Sequence, residues 1–128
     1  MTLDVFLESD DGYDREAVEL ALARNGVPAD STVTTADGGE ASVSIDDDGS
    51  VFVIESLTPE LAQILFDVAR SAGLAILPAD GTPTALVAGE AAVPEELEPV
   101  PVATPEQVYE ALRQSVTRRE EARGTRSA

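Results

Sequence analysis

The sequence has no cysteine, histidine, lysine or tryptophan among its 128 residues. Each absence removes a class of chemistry. Without cysteine there is neither a disulfide framework nor a thiolate nucleophile. Without histidine the commonest general base and metal ligand is missing. Without lysine there is no Schiff-base chemistry and no phosphate-loop lysine. An enzyme built from this chain would have to work with Asp, Glu, Ser, Thr, Tyr or Arg, and the expectation is a protein that is not an enzyme and carries no cofactor or metal. Long apolar runs are also lacking, and none approaches the ~20 residues that span a bilayer. The N-terminus, MTLDVFLESDD, has neither a basic region nor an apolar stretch of signal-peptide type. These features lead to the expectation of a cytoplasmic protein with one domain and one core.

What the chain has in abundance is negative charge. The formal net charge is −17, and it is unevenly spread. Residues 1–112 hold 23 Asp and Glu against Arg15, Arg24 and Arg70, a balance of −20; residues 113–128 hold five Arg and two Glu, a balance of +3. Such a body repels nucleic acid and anionic membranes and attracts basic partners. Solubility or adaptation to a salty, GC-rich host explains the same composition without a partner.

The clearest stretch is Ser56 to Pro78. Thr58 is an N-cap and Pro59 suits the first helical position. Leu61, Ile64, Leu65, Val68, Ala69 and Ala72 then fall on one face of a helix. Gly73 suits a left-handed stop, and Leu74-Ala75-Ile76-Leu77 reads as a buried strand ended by Pro78. Phe66 lies off the stripe, either at the margin of the core or as an exposed aromatic anchor for a partner.

Around this unit, Leu3, Val5 and Leu7 alternate with Asp4, Phe6 and Glu8, the pattern of a half-buried strand. Asp14 caps a helix through Asn25, with Val18, Ala21 and Leu22 inward and Ala17 and Leu20 beside them. Residues 32–35 suggest a short edge strand. Ala41, Val43 and Ile45 alternate, Asp47-Asp48-Gly49 turns, and Val51-Phe52-Val53-Ile54 is nearly continuously apolar, which predicts a hairpin. Ala85 to Ala88 pairs back on residues 74–77. Residues 89–103 form an extended Pro/Glu-rich connection with a polyproline-like edge at Val100-Pro101-Val102. Thr104-Pro105-Glu106-Gln107 starts a last helix whose apolar face is Val108, Tyr109, Leu112 and Val116. Residues 1–117 thus make a single α+β domain, and 118–128 an Arg-rich tail expected to be disordered. The order strand–helix–strand–strand–helix–strand is that of a ferredoxin-like βαββαβ sandwich with an added β-strand and a C-terminal helix.

Two acidic clusters compete for function. Ser44 to Glu55 imitates a calcium-binding loop, with Asp46 and Asp48 at its third and fifth positions, Gly49 at the sixth and Glu55 at the twelfth. The first position is Ser rather than Asp, and the flanks read as strands, so a hairpin is the better account. The other cluster is Glu8, Asp10, Asp11 and Asp14. In a ferredoxin-like sheet the first two core strands run parallel. The loop after the first and the hairpin after the second then leave by the same end. This predicts one acidic rim of Glu8, Asp10, Asp11, Asp14, Asp46, Asp47 and Asp48, self-repelling alone and stabilised by a cationic partner. The plain alternative is a solvated loop plus a helix cap. Glu95, Glu96 and Glu98 read as a solvating linker. The arginines of the tail, with no stacking aromatics beyond them, suit docking on the acidic body better than nucleic acid.

A small acidic domain bearing LTPELAQILFDVARSAGLAILP, followed by a short strand and offering no catalytic residues, resembles the immunity proteins of bacterial toxin–immunity pairs. The resemblance implies an inhibitor that covers a basic partner such as a toxin domain, and it carries over no individual site residue; the chain itself is expected to be a monomer or homodimer. Two other expectations stand beside it: a ferredoxin-like regulatory domain that senses a small ligand, and an acid-based enzyme using a divalent ion on the rim.

Overall fold

The computed structural model describes residues 3–9, 14–28, 31–46, 49–79, 84–89 and 93–127, with side chains as far as Arg118. Among them the chain forms a mixed α+β architecture of seven strands in one sheet and three helices. The elements run β1 (Leu3–Glu8), α1 (Arg15–Arg24), β2 (Thr32–Thr34), β3 (Glu40–Ile45), β4 (Ser50–Ser56), α2 (Pro59–Ala72), β5 (Ala75–Pro78), β6 (Thr84–Val87), β7 (Glu98–Pro101) and α3 (Pro105–Ser127). The sheet order is β2-β3-β4-β1-β5-β6-β7. All neighbours are antiparallel except β6 and β7, which are parallel.

The register divides the sheet into two faces, because side chains alternate along a strand. Leu3, Val5 and Leu7 of β1, Ala41, Val43 and Ile45 of β3, Phe52 and Ile54 of β4, and Ile76 of β5 point inward and join one buried cluster with the helices. From α1 come Val18, Ala21 and Leu22; from α2, Leu61, Leu65 and Val68; from α3, Val108 and Leu112. Helix α2 lies between the other two and packs against both. Each fully buried Leu or Phe contributes about 1.5–3 kcal/mol of transfer free energy.

Local chemistry sets the ends of α2 as the sequence predicts. The Thr58 hydroxyl accepts from Leu61 N–H, Gly73 sits at φ 69, and the Gly73 and Leu74 N–H groups turn back to the Ala69 carbonyl. Asp14 caps α1 by accepting from the N–H groups of Glu16 and Ala17. The carboxamide of Asn25, at the end of α1, donates to Asp67 on α2 (2.8 Å) and so ties the two helices together.

Several expectations need correction. Three strands, rather than one, flank the four central ones. One of them, β7, falls within the segment read as an extended connection. Its prolines explain both its existence and its disguise. The Val102 N–H bonds back to Val87 O, so residues of that parity face β6. Pro99 and Pro101 point their missing donors the other way and blunt the outer edge. Leu20 is 64% exposed instead of lying beside the core. Phe66 is only 7% exposed and belongs to the core cluster, so its ring is no surface anchor. Because α2 is flanked on two sides, its buried arc is wider than one stripe. The backbone of α3 stays helical through Ser127, past Arg118 where the expected tail begins; Glu and Arg are good helix formers.

Candidate functional site

The ladder brings the end of β1 beside the β3–β4 hairpin. Leu7 pairs with Ser50, and Ser50 with Ile45. Strands β1 and β3 both run antiparallel to β4, hence parallel to each other, and leave the sheet at the same end. Gly49 lies so close to β1 that a Cβ there would stand 3.2 Å from Glu8 Cγ and 3.3 Å from the Leu7 carbonyl. Asp46 N–H closes the hairpin on Gly49 O at 2.9 Å. Glu8 and Asp46 are both exposed on this rim. Asp14 faces another task, because its carboxylate is taken up by the N-terminal N–H groups of α1. Asp10, Asp11, Asp47 and Asp48 lie outside the described residues.

The same register removes the calcium-loop alternative. Ser44 pairs with Val51, whereas Glu55 lies four residues further along β4. At about 3.4 Å per residue the supposed first and twelfth ligands are separated by roughly 14 Å along the ladder. Among the described residues no group of three or more acidic side chains is placed to hold a metal ion.

Glu8 and Asp46 share an orientation with two further acids. Alternation puts Asp4, Phe6 and Glu8 of β1 on the face of the sheet opposite the helices, together with Val51, Val53 and Glu55 of β4 and Asp46 just beyond β3. The described ion pairs, Arg15–Glu19, Arg24–Asp67 and Arg113–Glu110, all lie within or between helices. None of Asp4, Glu8, Asp46 and Glu55 has an ion-pair partner among the described residues. All eight arginines belong to α1, α2 or α3, so the strands of the open face carry charge of one sign among the described residues.

A second acidic site, unsuspected from the sequence, lies at the other end of the sheet. The turn at residues 35–39, between β2 and β3, docks on the N-terminus of α2. Glu60 N–H donates to Asp37 (3.1 Å), and Ala36 N–H donates in return to the Glu60 carboxylate (3.1 Å). The Thr35 hydroxyl donates to Asp37, accepts from Gly39 N–H at 2.7 Å and touches the Thr58 hydroxyl at 3.3 Å. Desolvation pushes the Asp37 carboxyl up. Hydrogen bonds from Thr35, Thr58, Glu60 N–H and Gly39 N–H outweigh it and hold the pKa at about 2. This is a reciprocal helix cap supplied by a distant turn, and its role is structural. The turn residues Thr35-Ala36-Asp37-Gly38-Gly39 were the only signal for it, and they do not name the helix on which they dock.

No family profile matches the chain, and neither the curated proteins nor the solved structures include a significant match. No helix among the described residues is long and apolar enough to cross a membrane.

Proposed function

We propose that this protein is an acidic protein-binding module that neutralises a basic protein partner, in the manner of an immunity protein facing a toxin domain. The observation that carries the reading is the shared end of β1 and β3, where Glu8 and Asp46 are exposed and have no ion-pair partner among the described residues. A structural acid is normally answered by a cap or a cation, as Asp37 and Asp14 are. Acids held on one face without an answer repel one another, and a cationic partner relieves that repulsion while steering encounter. We further read the four central strands, β3-β4-β1-β5, with α1 and α2, as a ferredoxin-like unit. Their mutual order and antiparallel directions support that reading, with β2, β6, β7 and α3 as additions.

The test is binding of the whole protein to small basic proteins as a function of salt. The association rate should fall steeply as ionic strength rises. Reversing Asp46, Asp47 and Asp48 to Lys together should slow association by roughly tenfold or more at low salt. An association rate untouched by either change removes the rim from the mechanism.

A further inference from the structure

The open face of the sheet is more than an acidic surface. Phe6 pairs directly with Val51 on one side and Leu77 on the other, which sets three apolar side chains in a row across β4, β1 and β5. Val53 lies diagonally beside them, across from Asp4. Phe6 is 37% exposed and the other three are partly so. None of the described helices covers this row, since their buried residues join the core on the other face. Around it stand Asp4, Glu8, Asp46 and Glu55.

Next to the row is a small groove. The segment linking β6 to β7 crosses this face, and Val93, Pro94 and Leu97 enclose a space of about 90 Å³ with Ala75, Leu77 and Glu8. Ala75 and Ala85 are buried here although they lie outside the helix-side core. The groove is too small for a typical free ligand, whose pockets run to about 300–1,000 Å³. Its lining is mixed: Leu77, Val93, Pro94 and Leu97 are apolar, and Glu8 and Ser9 supply the polar part. That combination suits one long cationic side chain, with its methylene stem in the groove and its charged head on Glu8.

We infer that the open face of the sheet is the docking surface for a basic protein, which lays an apolar patch on Phe6, Val51 and Leu77 and inserts an Arg or Lys beside Glu8. The inference rests on the basic-partner reading above and names the surface and the chemistry. Charge complementarity selects the occupant. An anionic membrane or nucleic acid is repelled by the four carboxylates, and a second copy using the same face would bring like charges together. An apolar centre within a charged border is the anatomy of a specific interface.

The test is a titration of the isotopically labelled full chain with a synthetic Arg/Leu peptide and with its Glu/Leu counterpart, followed by NMR. The expected result is that the Arg/Leu peptide alone shifts the amide signals of β1, β4 and β5 and of residues 93–97. Phe6→Ser should weaken binding by about tenfold. Glu8→Gln, a change at an exposed site that spares the fold, should weaken it by about threefold at low salt and hardly at all at high salt. Shifts confined to the helices or to the loop after β1, with affinity indifferent to Phe6→Ser, would overturn the open face while sparing the basic-partner reading. No binding of the Arg/Leu peptide anywhere would overturn both. Self-association abolished by Phe6→Ser would also overturn the inference, by giving the face to a second copy.

Discussion

The two ends of β3 treat the same residue type in opposite ways. Before the strand, Asp37 is held by two hydroxyls and two backbone N–H groups, and its pKa drops to about 2. After it, Asp46 stands exposed near Glu8 with no described cation to answer it. The first carboxylate is part of the fold: it fixes the β2–β3 turn on the N-terminus of α2. The second makes no ion pair among the described residues. The contrast teaches that net charge is a poor guide to function in so acidic a chain. What separates a structural acid from one available to a partner is whether its lone pairs are already taken.

The largest expected effect contrasts the two faces of β1 and β4. Phe52 points into the helix-side core with no exposure, whereas Phe6 stands 37% exposed on the open face. Phe52→Ala should destabilise the protein by about 3–5 kcal/mol in denaturant unfolding, through lost burial and a cavity. Phe6→Ala should cost less, about 1–2 kcal/mol, because more than a third of that residue is exposed in the free protein. Equal losses would mean that the open face is already covered in the free protein, and the distinction between the faces would collapse.

The next effect strikes the clamp. Gly39 is buried, and a Cβ built on it would collide with the Thr35 and Thr58 hydroxyls and press on Leu61 Cβ at 3.2 Å. Neither hydroxyl is the free end of a flexible chain, since each is engaged in the cap. Gly39→Ala should therefore cost roughly 1–3 kcal/mol, in the range of overpacked cores, measured as a shift in the unfolding midpoint at unchanged slope. A neutral result would show that the turn lifts off α2 freely.

Where the sequence was legible, the signals were local. The Thr58-Pro59 start and Gly73 stop delimit α2, and Asp48-Gly49 announces the β3–β4 hairpin, because caps and turns are decided by neighbouring residues. Alternation likewise placed Leu3, Val5 and Leu7 inward. Several of the misses were long-range. Phe66, which the sequence left between core margin and surface anchor, is buried in the core cluster, on a helix packed against both α1 and α3. Strand β7 hid behind prolines that only an edge tolerates. The Asp37 clamp joins residues 23 apart in the chain. As for the open face, Val51 to Ile54 already read as apolar on both sides, yet periodicity cannot say which side the helices leave bare. That β1 and β3 leave the sheet at the same end, carrying Glu8 and Asp46, follows from strand direction, a topological argument rather than a motif.

Acid sharpens the comparison further, with smaller effect. The folded-state pKa of Asp37, about 2, lies below the ordinary 3.8. Between those values the unfolded chain binds the proton more readily than the folded one. The contribution of Asp37 is therefore fully present above pH 4 and lost as pH falls through about 2. Asp37→Asn should flatten the loss of stability across that window and leave the open-face carboxylates untouched. Thermal unfolding of both proteins between pH 2 and 5 checks it; parallel curves would deny the clamp its role.

The smallest effect carries the comparison to its other end. Converting Asp4, Glu8, Asp46 and Glu55 to their amides removes four like charges that satisfy no described cation. A structural acid loses stability when neutralised, as Asp37 should. These four should instead leave stability within about 0.5 kcal/mol of the parent or raise it slightly at low salt, because self-repulsion is relieved. High salt should erase the difference, since exposed charges are screened beyond about 10 Å at 0.1 M. The decisive quantity is the sign of the change at low ionic strength. A loss of stability would mean that these carboxylates already serve the fold, and the open face would then join the clamp instead of opposing it.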